Sequence, residues 1–141
     1  RLPVNDSVLP KMGRLAQGPM TMRLLPGEEL VGSLSIDVAE TDPTLLLVSR
    51  KGQMTRIDLT PLRRCQRGDL GIMAVVLSAD EDSVAGLCSG DSLAGIVTDQ
   101  KRHGRLDAGA VDLTAAGQSW GNQLDLNSKE QVFSVVALKT S

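Results

Sequence analysis

The stretch Leu45–Leu87, LLLVSRKGQMTRIDLTPLRRCQRGDLGIMAVVLSADEDSVAGL, decides the fold. Four short pieces in it read as strands. Leu45–Ser49 is a continuous apolar run. Met54–Leu59 alternates, with Thr55, Ile57 and Leu59 on one face and Met54, Arg56 and Asp58 on the other. Met73–Leu77 is apolar again, and Ser83–Leu87 closes the unit. Between them lie a tight basic turn, Arg50-Lys51-Gly52, a longer basic loop, Arg63–Gly68, and an acidic turn, Asp80-Glu81-Asp82. Short strands bounded by Gly-rich turns predict all-β structure. Recurrence of the unit predicts blades or solenoid repeats.

Outward from this stretch, Arg1–Val4, Arg56–Leu59 and Arg105–Ala108 share one pattern: Arg, then Leu or Ile, then alternation of polar with small or apolar residues. Arg1 precedes Arg56 by 55 residues, and Arg56 precedes Arg105 by 49. Four-stranded propeller blades have this size, about 40–50 residues. The chain divides into a partial blade over 1–36 and blades over 45–88 and 93–138. Pro10, Gly13 and Gly18 exclude a helix between Leu9 and Gly18. That segment has the phase of Arg63–Gly71 and of Ala115–Gly121. Gly18, Gly71 and Gly121 each precede a strand, where glycine permits positive φ or close backbone approach. Met20–Leu25 and Leu30–Ile36 are expected to pair as a hairpin across Pro26-Gly27-Glu28-Glu29. In the third unit the expected strands are Leu93–Thr98, Gly104–Ala108, Asn122–Leu126 and Gln131–Leu138, with turns at Asp99–Gly104 and Ser128-Lys129-Glu130. The expected total is eleven strands and no helix longer than a turn. The first unit lacks an opening strand and the chain lacks a start Met, so a fragment of a longer protein is expected.

The 141 residues suffice for one domain with a core. Trp120 and Phe133 are the only aromatics, so that core rests on aliphatic side chains. The formal net charge is −2, and any electrostatic site must arise from segregation of charge. Cys65 and Cys88 read as free thiols of a reducing cytosol. No apolar run approaches the roughly 20 residues of a membrane span, so no membrane partner is expected.

Charge follows repeat phase. The first hairpin turn is basic in both full units: Arg50 and Lys51, then Lys101 and Arg102. The next strand opens on Arg1, Arg56 or Arg105. The long loop is basic in two units: Lys11 and Arg14, then Arg63, Arg64 and Arg67. The last turn is acidic, with Glu28 and Glu29, then Asp80, Glu81 and Asp82, and is mixed in Lys129-Glu130. Units set round an axis would gather the positive turns into a track suited to a phosphate backbone, read by charge and not by base sequence. The scarcity of aromatics argues against single-strand binding by base stacking.

These features together resemble the C-terminal domain of the A subunit of bacterial DNA gyrase and of its topoisomerase IV counterpart. The resemblance rests on Leu46–Arg56 (LLVSRKGQMTR), Met12–Gly18 (MGRLAQG) and Gly27–Gly32 (GEELVG), and it covers nearly the whole chain. It implies a β-pinwheel of four-stranded, propeller-like blades that exchange strands, with a basic rim that binds and bends or wraps duplex DNA. In gyrase a Gln-Arg-Arg-Gly-Gly-Lys-Gly box in one blade loop is important for wrapping. Cys65–Gly71 reads CQRGDLG, and Arg67, Gly68 and Gly71 match that box. Arg14 and Gly18 match it in the first unit, and Gly121 in the third. The resemblance further implies that the chain works within a bacterial, cytoplasmic, nucleoid-associated topoisomerase, beside the rest of an A subunit and its B subunit. ATP hydrolysis and strand cleavage then lie elsewhere; type II topoisomerases cleave through a tyrosine, and this chain has none.

The expected phosphate contacts are Arg50, Lys51, Arg63, Arg64, Arg67, Lys101 and Arg102, then Lys11, Arg14 and Arg56. No Walker loop, Rossmann glycine pattern or zinc-ligand spacing occurs, and no cofactor or metal is expected. His103 reads as an exposed turn residue, Asp80-Glu81-Asp82 as a solvated acidic turn, and Trp120 as a plug between blades. A reading of a different class is a propeller-like protein-interaction or structural scaffold without DNA binding. A third is self-association of the fragment, because an incomplete blade exposes a strand edge.

Overall fold

The computed structural model describes residues 12–17, 20–37, 39–62, 64–77 and 81–138. Within them, β1 (Thr44–Ser49), β2 (Gln53–Asp58) and β3 (Val84–Ser89) build one sheet. β4 (Leu93–Thr98), β5 (His103–Asp107) and β8 (Val132–Leu138) build a second. In both, the opening strand is central and antiparallel to its two partners. A single 3-10 turn, Ala108–Ala110, is the only helical element among the described residues.

The two sheets are copies of one design. β1 and β4 open 49 residues apart, at Thr44 and Leu93. Asp58 Oδ1 accepts the Thr60 N–H at 2.8 Å, and Asp107 Oδ1 accepts the Gly109 N–H at 3.0 Å. Leu59 N–H donates to Pro43 O at 2.9 Å, as Ala108 N–H donates to Ser92 O at 3.0 Å. Arg50 N–H donates to Ser83 O at 2.8 Å, as Asp99 N–H donates to Gln131 O at 2.9 Å. Arg56 and Arg105 therefore hold one repeat position.

The remaining strands cross between units. β6 (Leu113–Thr114) and β7 (Asn122–Gln123) follow β5 in the chain, yet both pair with β2. β6 is parallel to β2, at Arg56↔Leu113 and Ile57↔Thr114, and β7 is antiparallel, at Gln53↔Gln123 and Met54↔Asn122. The third unit thus closes the open edge of the second.

The alternation expected in β2 is present, and β1 goes further: it is buried on both faces. Leu46, Val48, Met54 and Cys88 meet Ala94, Ile96 and Val132 in a cluster between the second and third units. Leu45, Leu47, Ile57 and Leu59 face the first unit in another, with Ile36 and Trp120 packed against it. Gly86 lets β3 and β8 approach closely: a Cβ there would lie 2.8 Å from the Val135 Cβ.

Several expected strands are shorter or lack a ladder. Eight strands are described, against eleven expected. Met73–Leu77 contributes one isolated parallel bridge, Val76↔Ser119. Asn122–Leu126 narrows to two paired residues. Met20–Leu25 and Leu30–Ile36 form no ladder among the described residues, although their turn is present: Glu28 N–H donates to Leu25 O at 3.0 Å, with Gly27 at φ 84. In Asn122–Leu126 the physical reason is the crossing: the segment pairs with β2 of the neighbouring unit over two residues and then leaves. The expected strand Arg1–Val4 lies outside the described residues.

Candidate nucleic-acid interface

The Arg50-Lys51-Gly52 turn is held from two sides. Gly52, at φ 84, closes it by donating to Ser49 O at 3.0 Å, and the Ser49 hydroxyl accepts the Gln53 N–H at 3.0 Å. The Lys51 N–H donates to Asp82 Oδ1 at 3.1 Å. From the third unit, Val132 N–H donates to Arg50 O, Leu124 N–H to Gly52 O and Gln123 Nε2 to Lys51 O, each at 2.8 Å. The backbone is fixed at the junction of two units, while Arg50 and Lys51 are exposed.

The equivalent turn of the third unit carries its charges two positions later. Arg50 corresponds to Asp99, Gly52 to Lys101 and Gln53 to Arg102. Lys101 takes the left-handed conformation of Gly52, at φ 63, and is exposed. Arg102 Nη1 donates to Glu130 Oε2 at 2.6 Å; its side chain is 52% exposed and that of Glu130 is 0%. Glu130 also accepts from the Thr98 hydroxyl at 2.5 Å and the Asn127 N–H at 2.8 Å. The Thr98 bond most of all, then the Asn127 N–H and Arg102, hold this carboxyl below the usual carboxylate range.

The long loop of the second unit rests on the first. Gly68 N–H donates to Thr21 O at 3.3 Å, and Arg23 N–H to Asp69 O at 3.0 Å. Gly68 and Gly71 have φ 80 and 70. Arg64 is exposed and Arg67 half-buried. Arg14 is exposed in a turn that Ala16 N–H closes on Gly13 O at 3.0 Å. Arg56 is half-buried and donates from Nη1 to Gly90 O at 3.4 Å. Arg63 and Lys11 lie outside the described residues, as do Asp80 and Gly18.

Two roles escaped the sequence pattern. Arg23 donates from Nε to Gly68 O at 3.3 Å and so braces the basic loop. One carboxylate of each acidic turn is internal: Glu28 accepts the Leu25 N–H at 2.8 Å as Glu130 accepts that of Asn127, and Asp82 accepts from Lys51 and Ser83. The signal is legible in the sequence, since an acid closes each turn two residues after a Pro, Asp or Ser: Pro26 and Glu28, Asp80 and Asp82, Ser128 and Glu130. Trp120 packs on the second cluster, and His103 opens β5 instead of lying in the turn. Burial pushes the Cys88 thiol up. Among the described residues no cluster of His, Cys, Asp or Glu could hold a metal ion, and no helix is long and apolar enough to cross a membrane.

No protein-family model matches the sequence, and no curated protein matches it. Solved structures do. The C-terminal domain of DNA topoisomerase IV aligns with a TM-score of 0.81 at 19% identity, covering 93% of this chain and 41% of that one. The C-terminal domain of DNA gyrase A aligns with a TM-score of 0.75 at 25% identity, covering 90% of this chain and 43% of that one. The fold is thus the β-pinwheel of these domains, and the chain spans about two-fifths of their length.

Proposed function

We propose that this chain binds duplex DNA through its backbone and bends or wraps it, as a non-catalytic module of a type II topoisomerase A subunit. The observation that carries this reading is the β-pinwheel likeness over nine-tenths of the chain. The Arg50–Lys51 turn supports it: exposed cations on a backbone held by its own unit and the following one meet phosphates with little ordering left to do. Arg50, Lys51, Arg63, Arg64, Arg67, Lys101 and Arg102, then Lys11, Arg14 and Arg56, are the proposed contacts. Sequence enters only through the deformability of the DNA. The rest of an A subunit and its B subunit are the proposed partners, in a bacterial cytoplasm at the nucleoid, and strand cleavage and ATP hydrolysis belong to them.

The test is charge reversal. Arg50→Glu with Lys51→Glu, and separately Arg63→Glu with Arg64→Glu, are expected to weaken duplex binding about tenfold or more near 0.1 M salt. Circular dichroism should be unchanged. Unchanged affinity in both double variants overturns the assignment. A scaffold reading draws on Arg56 and Arg102, whose guanidinium groups make contacts inside the molecule. It predicts no DNA affinity at any salt concentration.

A further inference from the structure

The long loops are hooked together in series. Each unit has a tight turn at one phase: Ala16 N–H donates to Gly13 O at 3.0 Å, Asp69 N–H to Gln66 O at 3.2 Å, and Gln118 N–H to Ala115 O at 3.2 Å. Gly68 and Gly117 take the same left-handed place in the second and third turns, at φ 80 and 84. These two turns are bound to the preceding unit by the same pair of bonds. Gly68 N–H donates to Thr21 O at 3.3 Å, and Arg23 N–H to Asp69 O at 3.0 Å. Gly117 N–H donates to Ala74 O at 2.9 Å, and Val76 N–H to Gln118 O at 3.4 Å. Arg23 therefore holds the position of Val76, and Arg67 that of Ala116.

The two junctions differ in charge at one place. Between the second and third units the pair is Val76 and Ala116; between the first and second it is Arg23 and Arg67. Arg23 also donates from Nε to Gly68 O at 3.3 Å, which a valine cannot do. It is exposed all the same. A guanidinium tied at Nε keeps its Nη edge, a planar pair of donors that fits two phosphate oxygens. Seating the group on Gly68 O also removes part of the rotamer freedom that an unsupported arginine loses on binding. The acid of this turn, Asp69, is engaged inside it, where Oδ2 accepts the Gln66 N–H at 2.9 Å. Arg23 stands outside the periodic run of basic turns, in a stretch whose sequence reads as a strand.

We propose that Arg23 is a phosphate-binding residue of this interface, seated by Gly68 O so that it and Arg67 present two guanidinium groups to the backbone of one duplex. This rests on the duplex-DNA reading above. The arrangement is one-sided. The same pair of positions is uncharged at the next junction, so of the two junctions only the first offers phosphate contact at the long loop.

The test is the salt dependence of duplex binding by the 141-residue chain, for wild type, Arg23→Gln and Arg23→Lys. Arg23→Gln neutralises one phosphate fewer. Its plot of log K against log salt should be shallower by about 0.9, with affinity about fivefold to tenfold lower near 0.1 M salt. Arg23→Lys keeps the charge and should keep the wild-type slope, with a smaller loss of affinity. Circular dichroism should be unchanged in both. A brace that touches no phosphate predicts that the two variants match each other and keep the wild-type slope. That result overturns the proposal, as does Arg23→Gln protein that binds like wild type; both leave the DNA reading standing. A wild-type chain that binds no duplex at low salt overturns that reading itself, and the role of Arg23 with it.

Discussion

Glu130 shows how one side chain can govern a repeat. Its carboxylate ties the β4–β5 turn, through Thr98 and Arg102, to the turn that precedes β8. Its folded pKa lies below the ordinary value, so it stabilises the fold above the unfolded carboxyl pKa of about 4.3. That contribution fades as pH falls through the folded value. Glu130→Gln is expected to lower the melting temperature at pH 7. The gap to wild type should close on acidification through that window, as thermal melts at stepped pH would record. A constant gap would mean the loss is one of shape and not of charge. Gly52 is the second such position. Its φ of 84 and the Leu126 Cδ1 atom 2.7 Å from where a Cβ would lie both oppose a side chain. Gly52→Ala is expected to cost at least about 1–2 kcal/mol in chemical denaturation, the conformational penalty alone.

At the scale of elements, burial of β1 on both faces makes it the centre of the fold. Leu46 is fully buried in the cluster shared by two units. Leu46→Ala is expected to destabilise by about 2–5 kcal/mol. Amide exchange should be slowest in β1, β2 and β4, and fast in residues 12–17 and 20–36, which form no strand. Equal protection in 20–36 and β1 would contradict this. The central hairpins were legible because an apolar run, a Gly-bearing turn and an alternating run lie next to each other at Leu45–Leu59. β6 and β7 were not. Their partner, β2, stands more than fifty residues upstream in the chain, and Leu113–Thr114 and Asn122–Gln123 are too short to show a period. The likeness to a strand-exchanging family carried that expectation instead. The basic turns were legible as turns. Their side-chain partners were not, since the burial of Glu130 against Arg102 arises only once the two turns meet.

At the scale of the molecule, a chain of net charge −2 can hold DNA only if its cations are segregated. The acidic turns aid this: Glu28, Asp82 and Glu130 direct carboxylates at backbone N–H groups of their own turns and neighbours. Arg50, Lys51 and Lys101 are exposed at the first hairpin turns of the second and third units, and Arg64 is exposed in the long loop of the second. The most direct measurement is fluorescence anisotropy of a mixed-sequence duplex of about 40 base pairs, titrated with the chain at several salt concentrations. Binding is expected with log K falling linearly in log salt, at a slope of about −3 or steeper, and with similar affinity for unrelated sequences. Absence of binding at low salt, or affinity indifferent to salt, would contradict a phosphate-reading surface on this chain.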